Sequence, residues 1–295
     1  AKTVHRVLRP RADERSLVQA AELIRGAHRP ILIAGGGTRY SRAHQQLADL
    51  AHATGIPVVE TVAGKSTLRW DDPAWSGPIG VTGADQTNDL VAQADVIIAV
   101  GTRLQDFTTG SWTAFHPNAQ FISLNTARFD AVKHRAVPVI GDARESLTAL
   151  SSLLTGHRVA ADWTQQGQDS AGRLLAAIEA RVAKPQQDGL PSYAHVVAAV
   201  NRVAEPADYV LAAAGGLPGE LNINWLSKGP DTFDLEYGFS CMGYETAGAW
   251  GAAIQVATRG AGGTVFAMTG DGSYLMLNSE LYGAVLNNDH LVVVL

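Results

Sequence analysis

Val265-Phe266-Ala267-Met268-Thr269 runs into Gly270-Asp271-Gly272-Ser273, and that tetrad into Tyr274-Leu275-Met276-Leu277-Asn278-Ser279-Glu280-Leu281. The order is apolar strand, glycine-framed aspartate, amphipathic helix. An aspartate at the carboxyl end of a parallel strand offers a hard oxygen ligand suited to Mg2+ or Ca2+. Gly270 and Gly272 let the backbone approach a phosphate closely. The amides of Gly272 and Ser273 open a helix N-terminus, where anions are stabilised. Gly-Asp-Gly by itself also fits a plain turn. A buried strand before it and a helix after it favour a metal-diphosphate site.

Working outward, the same alternation recurs. Leu17, Ala20, Ala21 and Ile24 share one helical face, and Pro30 closes that helix. Ile31 to Ala34 reads as a buried strand running into Gly35-Gly36-Gly37. Further strands are expected at 57–59, 95–100, 120–124 and 137–140, with helices around 42–54, 86–93 and 145–154. Strands alternating with helices predict a parallel sheet covered on both faces. Residues 1–12 are basic and irregular. The stretch 155–190 is richer in Gln, Ala and charge, and reads as a helix plus an interdomain linker ending near Lys184-Pro185-Gln186-Gln187-Asp188-Gly189. A second unit opens at Ser192, a helix N-cap, with a helix through Val203 and a strand at 209–214. After it come Gly215-Gly216, helices near 217–226 and 244–258, and a strand at 264–269. The fold class is thus α/β, with two doubly wound parallel-sheet domains. The expected divisions are 1–154, 155–190 and 191–295.

With 295 residues, 46% of them hydrophobic, the chain can fill two ordinary cores. A net charge of −5 without basic runs gives no reason to expect nucleic acid. No run of about 18 apolar residues points to a membrane. The single cysteine, Cys241, excludes an intrachain disulfide framework and fits a reducing cytoplasm. No histidine paired with it is evident in sequence, so Cys241 reads as structural. The nine histidines show no zinc spacing. Gly35-Gly36-Gly37 suggests a dinucleotide loop, but the fingerprint needs a third glycine where Tyr40 stands.

The string from Gly270 to Leu281 resembles the diphosphate-binding motif of thiamine-diphosphate enzymes. In that family a Gly-Asp-Gly-(Ser/Ala) tetrad is followed, beyond the next strand, by an asparagine that completes the metal shell. Here the next strand is His290 to Leu295, on which the sequence ends. Asn287-Asn288 precedes it and reads as the polar C-terminal end of a helix. The expectation is a fragment of a longer polypeptide, truncated at its C-terminus, with the second metal ligand outside it. The resemblance implies thiamine diphosphate and Mg2+ as cofactors, with Asp271 on the metal. Gly215, Gly216 and Leu217 would lie over the diphosphate with Gly270, Gly272 and Ser273. The Ser240 carbonyl would accept from the cofactor's amino group, and Met242 would wedge between its two rings. Core filler is the plainer reading of Met242.

Residues 1–154 resemble the family's middle domain, which binds FAD in some members and nothing in many; the empty form is expected. More narrowly, Leu211 to Leu221 and Glu236 to Glu245 resemble the inositol-catabolism branch, which opens a cyclic polyhydroxy 1,2-dione by hydrolysis. Acetolactate-synthase-like carboligases and 2-oxo acid decarboxylases are the alternative; they usually carry Gly-Gln-His where Gly215-Gly216-Leu217 stands. A non-catalytic cofactor-binding module is the other. The family's catalytic glutamate comes from a pyrimidine-binding domain of a neighbouring subunit, expected to precede Ala1. No catalytic acid or base is therefore nominated, and these 295 residues alone are expected to be inactive. A cytoplasmic homo-oligomer, dimer or tetramer, with the cofactor between subunits is implied.

Overall fold

The computed structural model describes residues 8–185, 189–260 and 262–295. Most of the 1–12 segment and the Gln186-Gln187-Asp188 part of the expected linker fall outside the described residues.

The first sheet contains β1 (Pro30–Ala34), β2 (Val58–Glu60), β3 (Trp75–Pro78), β4 (Val96–Val100), β5 (Gln120–Asn125) and β6 (Val137–Ile140), ordered β3-β2-β1-β4-β5-β6. Every pairing is parallel. Period-two alternation sends Leu32, Val58, Ile98 and Ile122 to one face and Ile31, Ile33, Val59 and Ile97 to the other. The first face is covered by α1 (Glu14–Gly26), α2 (His44–Thr54) and α4 (Ala143–Leu153), with Leu17, Ala20, Ala21 and Ile24 buried as their spacing predicts. The other face takes Leu90 and Val91 of α3 (Asp85–Val91).

One strand of this domain is not expected from the sequence, and the helix expected within 155–190 acquires a docking site. The edge strand β3 has no apolar run: it reads Trp-Ser-Gly-Pro, with Gly77 at φ 105° and an irregular register against β2. The 155–190 region contains a 22-residue helix, α5 (Ala161–Val182), that docks on the middle domain. Its Trp163 is buried and donates its indole N–H to the Pro30 carbonyl at 2.7 Å, while Leu174 and Ile178 enter the main core. Burying each such side chain contributes roughly 1.5–3 kcal/mol, far more than a free linker helix would gain.

The second sheet holds β7 (Tyr209–Ala212), β8 (Phe233–Leu235), β9 (Val265–Met268) and β10 (Val292–Val294), ordered β10-β9-β7-β8 and all parallel. Helix α6 (Tyr193–Val203) begins at a capping box in which Ser192 and His195 exchange bonds. The remaining long elements are α7 (Leu217–Asn224), α8 (Tyr244–Arg259), α9 (Asp271–Leu277) and α10 (Ser279–Leu286). The amphipathic helix expected after the aspartate is thus two helices meeting at Asn278. Asn287 caps α10, and Asn288 turns left-handed at φ 57°, as expected of a helix end.

The domains dock through the carboxyl edge of the first sheet. The Ser66 carbonyl and hydroxyl accept the amides of Asp231 and Thr232, and Asn222 donates to the Thr82 carbonyl. Beneath this contact Glu60 and Lys65, each 1% exposed, form an ion pair at 3.9 Å, and Trp75 Nε1 donates to Glu60 at 2.8 Å. Burial pushes the Glu60 carboxyl up and the Lys65 ammonium down from their ordinary values, against their mutual attraction. Removing one partner strands the other charge. Lys65→Ala should therefore lower unfolding free energy by roughly 3–5 kcal/mol in urea titrations, whereas Glu60→Leu with Lys65→Met should cost much less. Equal losses in the two proteins would contradict this.

Candidate functional site

Because β8, β7 and β9 are parallel neighbours, their carboxyl ends open at one edge of the sheet. Three loops meet there, as the sequence predicts: Ala213 to Gly216 after β7, Glu236 to Gly243 after β8, and Thr269 to Ser273 after β9.

In the third loop Gly270, Asp271 and Gly272 are exposed, and a Cβ added at Gly270 would meet no atom within 4 Å. The amides of Asp271, Gly272 and Ser273 precede the first intrahelical bond, which Tyr274 makes to the Gly270 carbonyl at 2.9 Å. Gly215, at φ 85°, is also open, and Gly216 caps α7. Leu217 is 8% exposed and packs into the core, so only its backbone faces the edge. Met242 is 49% exposed, which excludes the core-filler reading. Its Cε lies 3.4 Å from where a Gly272 Cβ would stand, so Met242 overhangs the aspartate loop. Ser240 is exposed and left-handed at φ 50°. Cys241, expected to be structural, is exposed.

Two glutamates that sequence reasoning passed over organise these loops. Glu236 accepts the Cys241 amide at 2.8 Å and the Phe239 amide at 3.1 Å, closing the second loop on itself. Glu245 is buried and accepts from Ala214, Gly243 and Ser273. The Ser273 hydroxyl is thereby engaged inside the protein, leaving its amide at the edge. The signal for Glu245 was an acidic residue beside Gly243 in the first turn of an otherwise apolar helix.

The donor set fits a metal diphosphate. Mg2+ typically takes one or two protein carboxylates and draws its other ligands from phosphate and water. Asp271 is exposed and oxygen-bearing, and no group of three or more His, Cys, Asp or Glu converges among the described residues.

The middle domain's glycines serve another purpose. A Cβ at Gly35 or Gly37 would lie 2.5–2.6 Å from Gly101 or Thr102 atoms, and the two amides donate to Val100 and Gly101 carbonyls at 2.8 Å. The ends of β1 and β4 are thereby held in backbone contact.

Comparison with known proteins gives the same assignment. Residues 17–150 match the family model described as thiamine pyrophosphate enzyme, central domain, and 214–295 the one described as thiamine pyrophosphate enzyme, C-terminal TPP binding domain. The chain belongs to the thiamine pyrophosphate enzymes. Relatives of the chain include proteins named 3D-(3,5/4)-trihydroxycyclohexane-1,2-dione hydrolase. That of Listeria monocytogenes serotype 4b is 38% identical over 97% of this chain and 49% of its own length. Those of Bacillus velezensis and Bacillus licheniformis are 38% and 37% identical over 100% of the chain and 49% of theirs. The chain spans about half the length of these curated relatives.

The Cys241 amide, with those of Phe239 and Gly238, holds the Glu236 carboxyl below its ordinary range against slight desolvation. A depressed folded value means the loop's support is present above the unfolded value and lost as pH falls through the folded one, below the ordinary glutamate range. Amide exchange at Phe239 and Cys241 should rise in that window beyond its intrinsic pH dependence. In Glu236→Gln the added rise should largely vanish; an unchanged profile would show that the carboxylate does not hold the loop.

Proposed function

We propose that this chain binds the diphosphate of thiamine diphosphate through Mg2+ on Asp271. Within the whole protein it serves the hydrolytic ring opening of a cyclic polyhydroxy 1,2-dione in inositol catabolism. The carrying observation is that open Gly270 and Gly272, exposed Asp271, open Gly215 and overhanging Met242 share one sheet edge. The names of the relatives supply the reaction class.

When bound, the cofactor supplies the electron sink for breaking a carbon–carbon bond beside a carbonyl. The protein's part is position and electrostatics. Asp271 fixes the metal, the amides of Gly272 and Ser273 face the diphosphate, and the backbone of Gly215, Gly216 and Leu217 closes over it. Met242 shapes the space for the rings, and the Ser240 carbonyl orients the amino group. With both strand-end loops zipped, the middle domain acts here as scaffold without a nucleotide. A cytoplasmic setting fits the lone, exposed Cys241 thiol, and among the described residues no helix is long and apolar enough to cross a membrane.

Titration calorimetry of the whole protein should show Mg2+-dependent binding of thiamine diphosphate, weakened about a hundredfold in Asp271→Ala. The whole protein should turn over the cyclic dione in preference to pyruvate. Preference for pyruvate would favour the carboligase or decarboxylase reading, and absent binding would overturn the cofactor assignment.

Leu275, Met276, Tyr282, Val285 and Leu286 are each at least 63% exposed on α9 and α10, an apolar surface that favours a homo-oligomer with the cofactor at the subunit interface. Sedimentation of the whole protein should give a dimer or tetramer; a monomer would contradict it.

A further inference from the structure

Glu245 is 0% exposed, and three hydrogen-bond donors are aimed at its carboxylate. Oε1 takes the Ala214 amide at 3.0 Å. Oε2 takes the Gly243 amide at 3.1 Å and the Ser273 hydroxyl at 2.5 Å. The same hydroxyl accepts a second bond from the Gly243 amide at 2.8 Å. Among the described residues, none of the ion pairs involves Glu245.

A buried carboxylate without a cation is costly unless its hydrogen bonds compensate, and an apolar side chain would fill the space more simply. What the carboxylate adds is geometry. Its three partners belong to three different loops: Ala214 follows β7, Gly243 precedes α8, and Ser273 opens α9. Strand pairing fixes β7 against β9 only as far as their ladders run, and the loops begin where those ladders stop. Beyond that point the rigid carboxylate sets their spacing. It also tethers Gly243, the neighbour of Met242, to Ser273, two residues from Asp271.

We infer that Glu245 is the positioning residue that locks these three loops in one register, and so sets Met242 and the Gly215 turn relative to the aspartate loop for cofactor binding. The cofactor part rests on the proposed function; the coupling of the loops does not.

Hydrogen exchange on the cofactor-free protein tests the coupling. In Glu245→Gln one acceptor oxygen becomes a donor facing donors. Exchange at Ala214 and Gly243 should rise about tenfold or more together, while α5 of the middle domain keeps its protection. A response confined to Gly243, or equal loosening of α5, would overturn the coupling. Calorimetry of the whole protein with thiamine diphosphate and Mg2+ tests the consequence. Affinity should fall about tenfold or more in Glu245→Gln and less in Ser273→Ala, which keeps the carboxylate and both amides. Unchanged affinity in Glu245→Gln would overturn the positioning role. A wild-type protein that fails to bind would overturn the functional reading, and with it the cofactor role, while exchange would still judge the coupling.

Discussion

Parallel strands in one sheet must all end at the same edge, and this constraint shapes the rest of the molecule. Each return crossover places a helix on a face, so both faces are buried and only the edges remain for chemistry. In the second domain the edge gathers loops from residues near 214, 240 and 271, which are far apart in sequence. In the first domain the equivalent edge is occupied: Ser66 and Thr82 dock the second domain, and the loops after β1 and β4 close on each other. One architecture thus yields an open edge in one domain and a docking edge in the other.

Glycine shows how alike two sequences can look while doing opposite things. Gly35, Gly37 and Gly101 are small because backbone presses on backbone there. Gly215 and Gly270 have open space where a side chain would go, and Met242 borders Gly272. The first set is packed against backbone, whereas the second leaves room beside it.

Each domain also buries a glutamate at the carboxyl end of its sheet. Glu60 is matched by the Lys65 ammonium and the Trp75 indole of its own domain, under the domain contact. Glu245 is matched by backbone amides and a hydroxyl, and holds three loops of one body. The difference in partners follows from what is nearby: a loop lysine in one case, helix starts and strand ends in the other.

Local pattern determined much of this protein. Apolar periodicity located nearly all the long helices and strands, because amphipathic faces and buried runs are written in neighbouring residues. Gly270-Asp271-Gly272-Ser273 pointed to a candidate diphosphate site, because a strand end, a glycine turn and a helix start are contiguous there. Strand β3 was invisible, since pairing with β2 rather than composition makes Trp-Ser-Gly-Pro extended. The docking of α5 was likewise unreadable, because amphipathicity says that a helix will be buried but not against what. The roles of Glu245, Glu236 and Lys65 were decided only by tertiary structure, because their partners lie in other loops or their burial comes from distant chain, and no local pattern records which donors and charges will meet.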